Sequence, residues 1–328
     1  MIESLAKFRP AMTEENLPDP DVEPAQAGVP THAGEPNARA KKKLPVPFQL
    51  GIIFGVFLAI FAIGWLSIAV FLRDENVASQ LALHPTVGSD GFIAKQIGSI
   101  KCEPLTIPGP QDTQLRAMLF TMPDAKKIAV VNHGNAGNNA HRLYLAEALI
   151  KAKVNVLLYD YRGYGLSTGK SSLRGILEDG DAAYDYLRNK LHYAPSQIII
   201  YGESIGTAVS CHVAAEHDCA GLILQSPIKS LPSAAKFVFV FMRMYPDFIF
   251  PEPQLDNLKL ISQIKCPKLI MHGLKDQIVN SENSKILYDA AQDPKTLALL
   301  PECGHNDMGS FNSNIFNGSI EKFITNLK

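Results

Sequence analysis

The run Gly202-Glu203-Ser204-Ile205-Gly206 sets one serine between two glycines, directly after the apolar stretch "QIIIY" and directly before the alanine-rich "TAVSCHVAAEH". A serine hydroxyl is a weak nucleophile at neutral pH and needs a base, an acid to orient that base, and donors for the oxyanion. A strand-to-helix turn supplies the right setting. The serine stands on a tight, strained turn that only unencumbered neighbours permit, and Ser204 Oγ projects beside a helix N-terminus. The N–H of Ile205 is then left to bind an oxyanion. A plain Gly-Ser turn is the alternative, and the strand-and-helix context favours the nucleophile.

The partners are expected in the order serine, acid, histidine, each after a later strand. Asp276 follows "KLIMHG" in "LKD", and His305 follows "TLALLP" in "ECGHND", with Gly304 before it to permit a sharp approach. Asp256 is a rival acid, but it precedes its strand and belongs at the other end of the sheet. His133 and His272 also follow strands, and each precedes a glycine in a turn, where bracing the loop is the expected role. The turn "HGNAGNN" after the first strand offers the N–H of Asn135 or Ala136 as a second oxyanion donor.

The elements that must position these residues form one pattern. From about residue 100 the apolar runs "KIAVVNH", "VNVLLYD", "QIIIYG", "GLILQS", "KLIMHG" and "TLALLP" alternate with amphipathic stretches. That is the signature of an α/β protein whose mostly parallel sheet is covered by helices on both faces, since strands buried on both sides read as uniformly apolar. In such sheets ligands bind beyond the carboxyl ends of the strands, which is where every candidate above lies.

Other chemistries are disfavoured. "DYRGYGLSTG" lacks the Gly-Lys-Ser/Thr ending of a phosphate-cradling loop. A net charge of -1 and the absence of a basic, aromatic-interleaved stripe argue against nucleic acid as a partner. The five cysteines, Cys102, Cys211, Cys219, Cys266 and Cys303, have no zinc or redox spacing and suggest no disulfide scaffold. No metal or organic cofactor is expected.

Residues 1–47 are rich in Pro, Ala, Glu and Asp without an apolar period, so a disordered tail is expected there. Phe48 to Leu72 contains no charge and is long enough to cross a hydrocarbon core of about 30 Å as a helix. It exceeds a signal-peptide core and is expected to remain as an anchor. Gly51 and Gly55 form a weak helix-pairing motif. Arg39, Lys41, Lys42 and Lys43 precede the span, and Arg73 follows it beside Asp74 and Glu75. This bias predicts a cytoplasmic N-terminus and an exoplasmic or periplasmic C-terminal domain.

The motifs "HGNAGN", "DYRGYG", "YGESIGT", "HGLKDQIV" and "CGHND" together resemble an α/β-hydrolase group that includes membrane-associated α/β-hydrolase-domain proteins and acyl-protein thioesterases. The resemblance covers residues 100–328, after a linker and domain start at 73–99. It implies the α/β-hydrolase fold with Ser204 as nucleophile, Asp276 as acid and His305 as base, and a small cap at about 227–255. The chain departs from depalmitoylating relatives in having a span and no cysteine before Cys102. The expected function is a membrane-anchored serine hydrolase that cleaves an ester or thioester of an acylated small molecule, lipid or acyl-protein through an acyl-enzyme. The alternatives are a catalytically idle binding module of the same fold and a peptidase.

Overall fold

The computed structural model describes residues 45–88, 96–311 and 313–327. The expected tail, through residue 44, and the basic residues 39–43 lie outside them. The chain divides into two compact units, Met1–Gly55 and Val56–Lys328.

Helix α1 (Val46–Leu72) starts two residues before the expected Phe48, because Pro47 falls in the first helical turn, where its missing N–H is not needed. Its 27 residues span about 40 Å at about 1.5 Å per residue, enough to cross a membrane. Helix α2 (Glu75–Ala82) follows, capped by Asp74, whose Oδ1 accepts from the Asn76 N–H at 2.8 Å.

Among the described residues, eight strands of five residues or more build the central sheet: β1 (Ile100–Pro108), β2 (Gln114–Phe120), β3 (Ile128–Asn132), β4 (Asn155–Tyr159), β5 (Ile198–Glu203), β6 (Gly221–Gln225), β7 (Lys268–Gly273) and β8 (Lys295–Leu300). Their order is β8-β7-β6-β5-β3-β4-β2-β1, with the pair Gln96–Ile97 extending the β1 edge. All adjacent pairs among β3 to β8 are parallel, while β2 is antiparallel to both β1 and β4. The β1–β2 hairpin has no counterpart among the apolar runs, since Pro104, Pro108 and the half-exposed Arg116 interrupt them.

Alternate side chains leave the sheet on opposite faces, as the two-residue period requires. Val130, Leu157, Ile200, Leu224 and Ile270 pack under α4 (Leu173–Asn189), α5 (Gly206–Glu216) and α8 (Glu282–Ala290). Val131, Leu158, Ile199, Ile223 and Met271 pack under α3 (Leu143–Lys151) and the C-terminal helix Ser313–Thr325. Between β6 and β7 come α6 (Leu231–Val238), the 3₁₀ turns Val240–Met244 and Asp247–Ile249, and α7 (Asn257–Ile261). Ala69 and Leu72, at the end of α1, are buried with Met242, Tyr245, Ile249 and Phe250 of this excursion. At the opposite sheet end from the strands' carboxyl termini, the Cys219 thiol meets Cys266 Sγ at 3.0 Å.

The chain leaves β3 for β4 on one side and returns through β5 on the other. That reversal opens a crevice at the carboxyl ends of β3 and β5. The register Asn132↔Gly202 brings the "HGN" turn and Ser204 to its two lips.

Candidate active site

Ser204 occupies the turn between β5 and α5 with φ +55°, the left-handed region that a non-glycine residue adopts only under strain. Its neighbours explain the two glycines. A Cβ on Gly206 would stand 2.1 Å from the Asn132 carbonyl oxygen and 2.5 Å from that of His133. One on Gly202 would stand 2.5 Å from Ser210 Oγ and 2.7 Å from the Gly206 carbonyl oxygen. The turn is held by the Ser204 N–H donating to the Gln225 carbonyl at 2.9 Å and the Thr207 N–H donating to the Ser204 carbonyl at 3.0 Å.

The structure brings the three sequence candidates together. Ser204 Oγ lies 3.0 Å from His305 Nε2, and His305 Nδ1 lies 2.6 Å from Asp276 Oδ2. The geometry suits an Nδ1–H imidazole that donates to the carboxylate and accepts from the serine hydroxyl. Asp276 is enclosed: Oδ1 accepts from the N–H groups of Ile278 and Val279, each at 2.8 Å. Its Oδ2 also faces His272 Nε2 at 3.1 Å. Burial works against the charge, but the bonds from His272 and His305 outweigh it and hold this carboxyl well below the usual range. His272 is itself fixed, with Nδ1 2.7 Å from Ser284 Oγ and Nε2 3.1 Å from the Val279 carbonyl, so it buttresses the Asp276 carboxylate. Asp256, the rival acid, caps α7 through the Lys259 N–H at 3.0 Å.

One local expectation is corrected. A Cβ on Gly304 would meet nothing nearer than 3.6 Å, so this glycine is not what lets the histidine approach. The tight passage is at Gly273, where a Cβ would lie 2.4 Å from the carbonyl oxygens of both Cys303 and Gly304.

The opposite lip is organised by a buried ion pair that the motif search passed over, Arg142 Nε to Glu203 Oε2 at 2.8 Å. Glu203 Oε2 also accepts the Gly134 N–H at 3.2 Å, and Oε1 accepts from the Tyr144 hydroxyl at 3.2 Å. Burial opposes the charge on Glu203, but the Arg142 guanidinium prevails and lowers its pKa. Glu203 is the unspecified residue of the Gly-x-Ser-x-Gly pattern, so its role is visible only once Arg142, 61 residues away, is beside it. Among the described residues, none accepts from the N–H groups of Ile205 or Asn135. The Asn135 side chain accepts from the His84 N–H at 2.7 Å, and Ala136 is exposed and pairs with His84.

Behind this turn, His133 Nε2 lies 3.6 Å from Asp160 Oδ1. Burial, with Arg142 nearby, lowers the His133 pKa to about 3, and burial raises that of Asp160 to about 7. His133 itself is held through Nδ1, 2.7 Å from the Gly134 carbonyl, and by the Tyr161 and Tyr164 rings packed against it.

Ser204, Ile205 and Asn135 open into a cavity of about 280 Å³. Apart from His84 its other walls are apolar, Leu72, Ala78, Leu81, Ile228, Leu231, Phe239 and Phe250 among them, and among the described residues no acidic side chain lines it. Among the described residues, no group of three His, Cys, Asp or Glu is placed to hold a metal ion.

Residues 123–262 match the family profile described as serine aminopeptidase, S33. An uncharacterized protein of Mycobacterium tuberculosis is 33% identical over 196 residues, which cover 60% of this chain and 69% of that protein. "Alpha/beta hydrolase domain-containing protein 17B" of Xenopus tropicalis is 33% identical over 205 residues, 62% and 68% of the two chains. An esterase of Pyrococcus furiosus superposes with a TM-score of 0.62 at 17% identity, over 75% of this chain and 97% of its own, a likeness of fold. With the strand order and these relatives in agreement, the chain belongs to the α/β-hydrolase family and is a serine hydrolase tethered to a membrane through helix α1.

Proposed function

We propose that the chain hydrolyses an acyl ester or thioester, with Ser204 as nucleophile, His305 as general base and acid, and Asp276 as the orienting carboxylate. His305 Nε2 takes the Ser204 proton as Oγ attacks the acyl carbonyl carbon. Asp276 keeps the second imidazole proton on Nδ1 and stabilises the cation that forms. The oxyanion is met by the N–H groups of Ile205 and Asn135 or Ala136, a contribution of about 3 kcal/mol per donor. The imidazolium then protonates the leaving oxygen or sulfur, leaving an acyl-Ser204. Water, deprotonated by His305, attacks that ester and releases the acid.

The observation that carries this reading is the unbroken relay from Asp276 through His305 to a strained Ser204 at the mouth of an apolar cavity. The test is fluorophosphonate labelling and p-nitrophenyl ester turnover by the full-length protein in detergent. Both should vanish in Ser204→Ala, and retention of most activity by that variant would refute the assignment. A wild type inert to probe and substrates alike would favour an idle binding module.

The description attached to the matching family profile favours a second reading, an aminopeptidase. Such an enzyme must hold a cationic α-amino group, and a buried charge needs a partner. Among the described residues the cavity lining offers no carboxylate for it, which supports the acyl substrate instead.

We further propose that the hydrolase domain is exoplasmic or periplasmic, on the strength of Arg39 and Lys41–Lys43 ahead of α1 against Arg73 alone behind it. Protease added outside intact cells should remove an epitope fused after Lys328 and spare one fused before Met1. Protection of the C-terminal epitope would reverse the orientation and make a cytosolic acyl-protein the better substrate.

A further inference from the structure

The cavity that holds Ser204 has the membrane helix as one of its walls: Leu72, the last residue of α1, lines it and is buried. The helix is longer than a bilayer needs. About 20 residues cross a hydrocarbon core of about 30 Å, so about seven of the 27 remain beyond it. The domain grips α1 within its last two turns. Trp65 stacks on Tyr245 with ring centroids 5.0 Å apart, and Ala69 and Leu72 are buried against Met242, Tyr245, Ile249 and Phe250. Tryptophan and tyrosine favour the depth at which a span leaves the hydrocarbon. The segment that carries Tyr245 is thereby held at the membrane surface.

That segment turns apolar side chains outward. Val240, Phe241, Met244 and Phe248 are 53–70% exposed, although their neighbours Met242 and Tyr245 are buried on α1. The cavity mouth has the same character. Leu81, Val238, Phe239 and Ile278 both line the cavity and stand 42–55% exposed. An apolar mouth joined to an apolar outer patch, both next to a membrane span, is matched by hydrocarbon and mismatched to water.

We infer that the cavity opens into the leaflet at the C-terminal end of α1 and receives the acyl chain of an ester lipid drawn laterally from that leaflet. Leu72 and Phe239 flank the route, and Val240, Phe241, Met244 and Phe248 rest among the lipid chains, with the exposed Arg243 and Asp247 of the same segment at headgroup level. This deepens the proposed function and rests on the Ser204 assignment.

The test uses the full-length protein reconstituted in phosphatidylcholine vesicles that carry a fluorogenic long-chain ester lipid, either in the same vesicles or in separate ones. Hydrolysis in the same vesicles should be at least tenfold faster. The variant V240S/F241S/F248S alters three residues that do not line the cavity. It should lose at least tenfold on the same-vesicle lipid and less than twofold on water-soluble p-nitrophenyl acetate. Leu72→Trp, which fills the cavity from the helix side, should shift the preferred chain to a shorter one.

Trp65, the single tryptophan of the chain, supplies a readout independent of activity. Lipids brominated near the headgroup should quench it more strongly than lipids brominated near the chain end. Equal rates from separate vesicles, an equal loss on both substrates in the triple variant, or strongest quenching from the bilayer centre would each overturn the lateral route. Failure of the wild type to hydrolyse even the acetate would instead refute the Ser204 assignment beneath it.

Discussion

Replacing Asp276 by asparagine asks whether the relay depends on the carboxylate's charge pattern, and the structure indicates how the variant should rearrange. Asp276 accepts four hydrogen bonds, two at Oδ1 from backbone N–H groups and two at Oδ2 from imidazoles. An amide has one accepting oxygen. If that oxygen faces His272 and His305, the N–H groups of Ile278 and Val279 lose their acceptor, at about 1–3 kcal/mol each, and a backbone amide cannot move its proton. If it faces the backbone instead, the amide NH₂ meets the two imidazoles, and His305 can accept from it by shifting its proton to Nε2, while His272 keeps its Nε2–H on the Val279 carbonyl. The second arrangement should win, leaving His305 with a proton on Nε2, where it must accept one from Ser204. The expected loss in kcat is about 10⁴-fold, or about 5 kcal/mol of barrier. Turnover of p-nitrophenyl butyrate and the rate of fluorophosphonate labelling should fall together, with the melting transition retained. Asp256→Asn keeps a good cap on α7 and should change neither rate. A loss below a hundredfold for Asp276→Asn, or a larger one for Asp256→Asn, would refute the assignment.

Other substitutions probe the frame around the site. Gly206→Ala forces a Cβ to 2.1 Å from a backbone oxygen, so it should abolish labelling, while Gly304→Ala, whose Cβ would meet its nearest neighbour at an ordinary contact distance of 3.6 Å, should stay within twofold of wild type in the same assay. Glu203→Gln leaves the buried Arg142 without its counter-charge and should cost about 3–5 kcal/mol in denaturant unfolding; a cost under about 1 kcal/mol would show that the pair is not structural. His133 and Asp160 oppose each other in pH dependence. The raised Asp160 pKa contributes stability below about pH 4 that is lost as pH rises through about 7, whereas the lowered His133 pKa costs stability as pH falls from about 6.5 towards 3. Unfolding free energies between pH 4.5 and 7 should therefore fall with acid in Asp160→Asn and with alkali in His133→Gln, and parallel profiles for the two variants would contradict these opposed effects of burial.

What the sequence alone determined is what depends on near neighbours. The apolar runs that became β3 to β7 are legible because a strand buried on both faces has no polar side to show. The Gly202–Gly206 turn is legible because its constraint is steric and falls on adjacent residues. The span is legible because hydrocarbon admits no other composition. The tertiary structure decided whatever depends on residues distant in the chain. His305 and Ser204 are 101 residues apart and meet only because β5 to β8 run parallel and deliver the turns that follow them to one edge of the sheet. Choosing between Asp276 and Asp256 became a matter of which carboxylate the β7 turn delivers to His305, and Gly273 rather than Gly304 proved to be the narrow point. Glu203 carried no signal, since a buried glutamate declares itself only through the arginine that makes its burial tolerable. The cavity is the furthest from sequence, because Leu72 belongs to the span, Ser204 to the sheet and Phe239 to the excursion after β6. No local pattern joins them, and only the packing of the end of α1 against that excursion turns a membrane helix into a wall of the site.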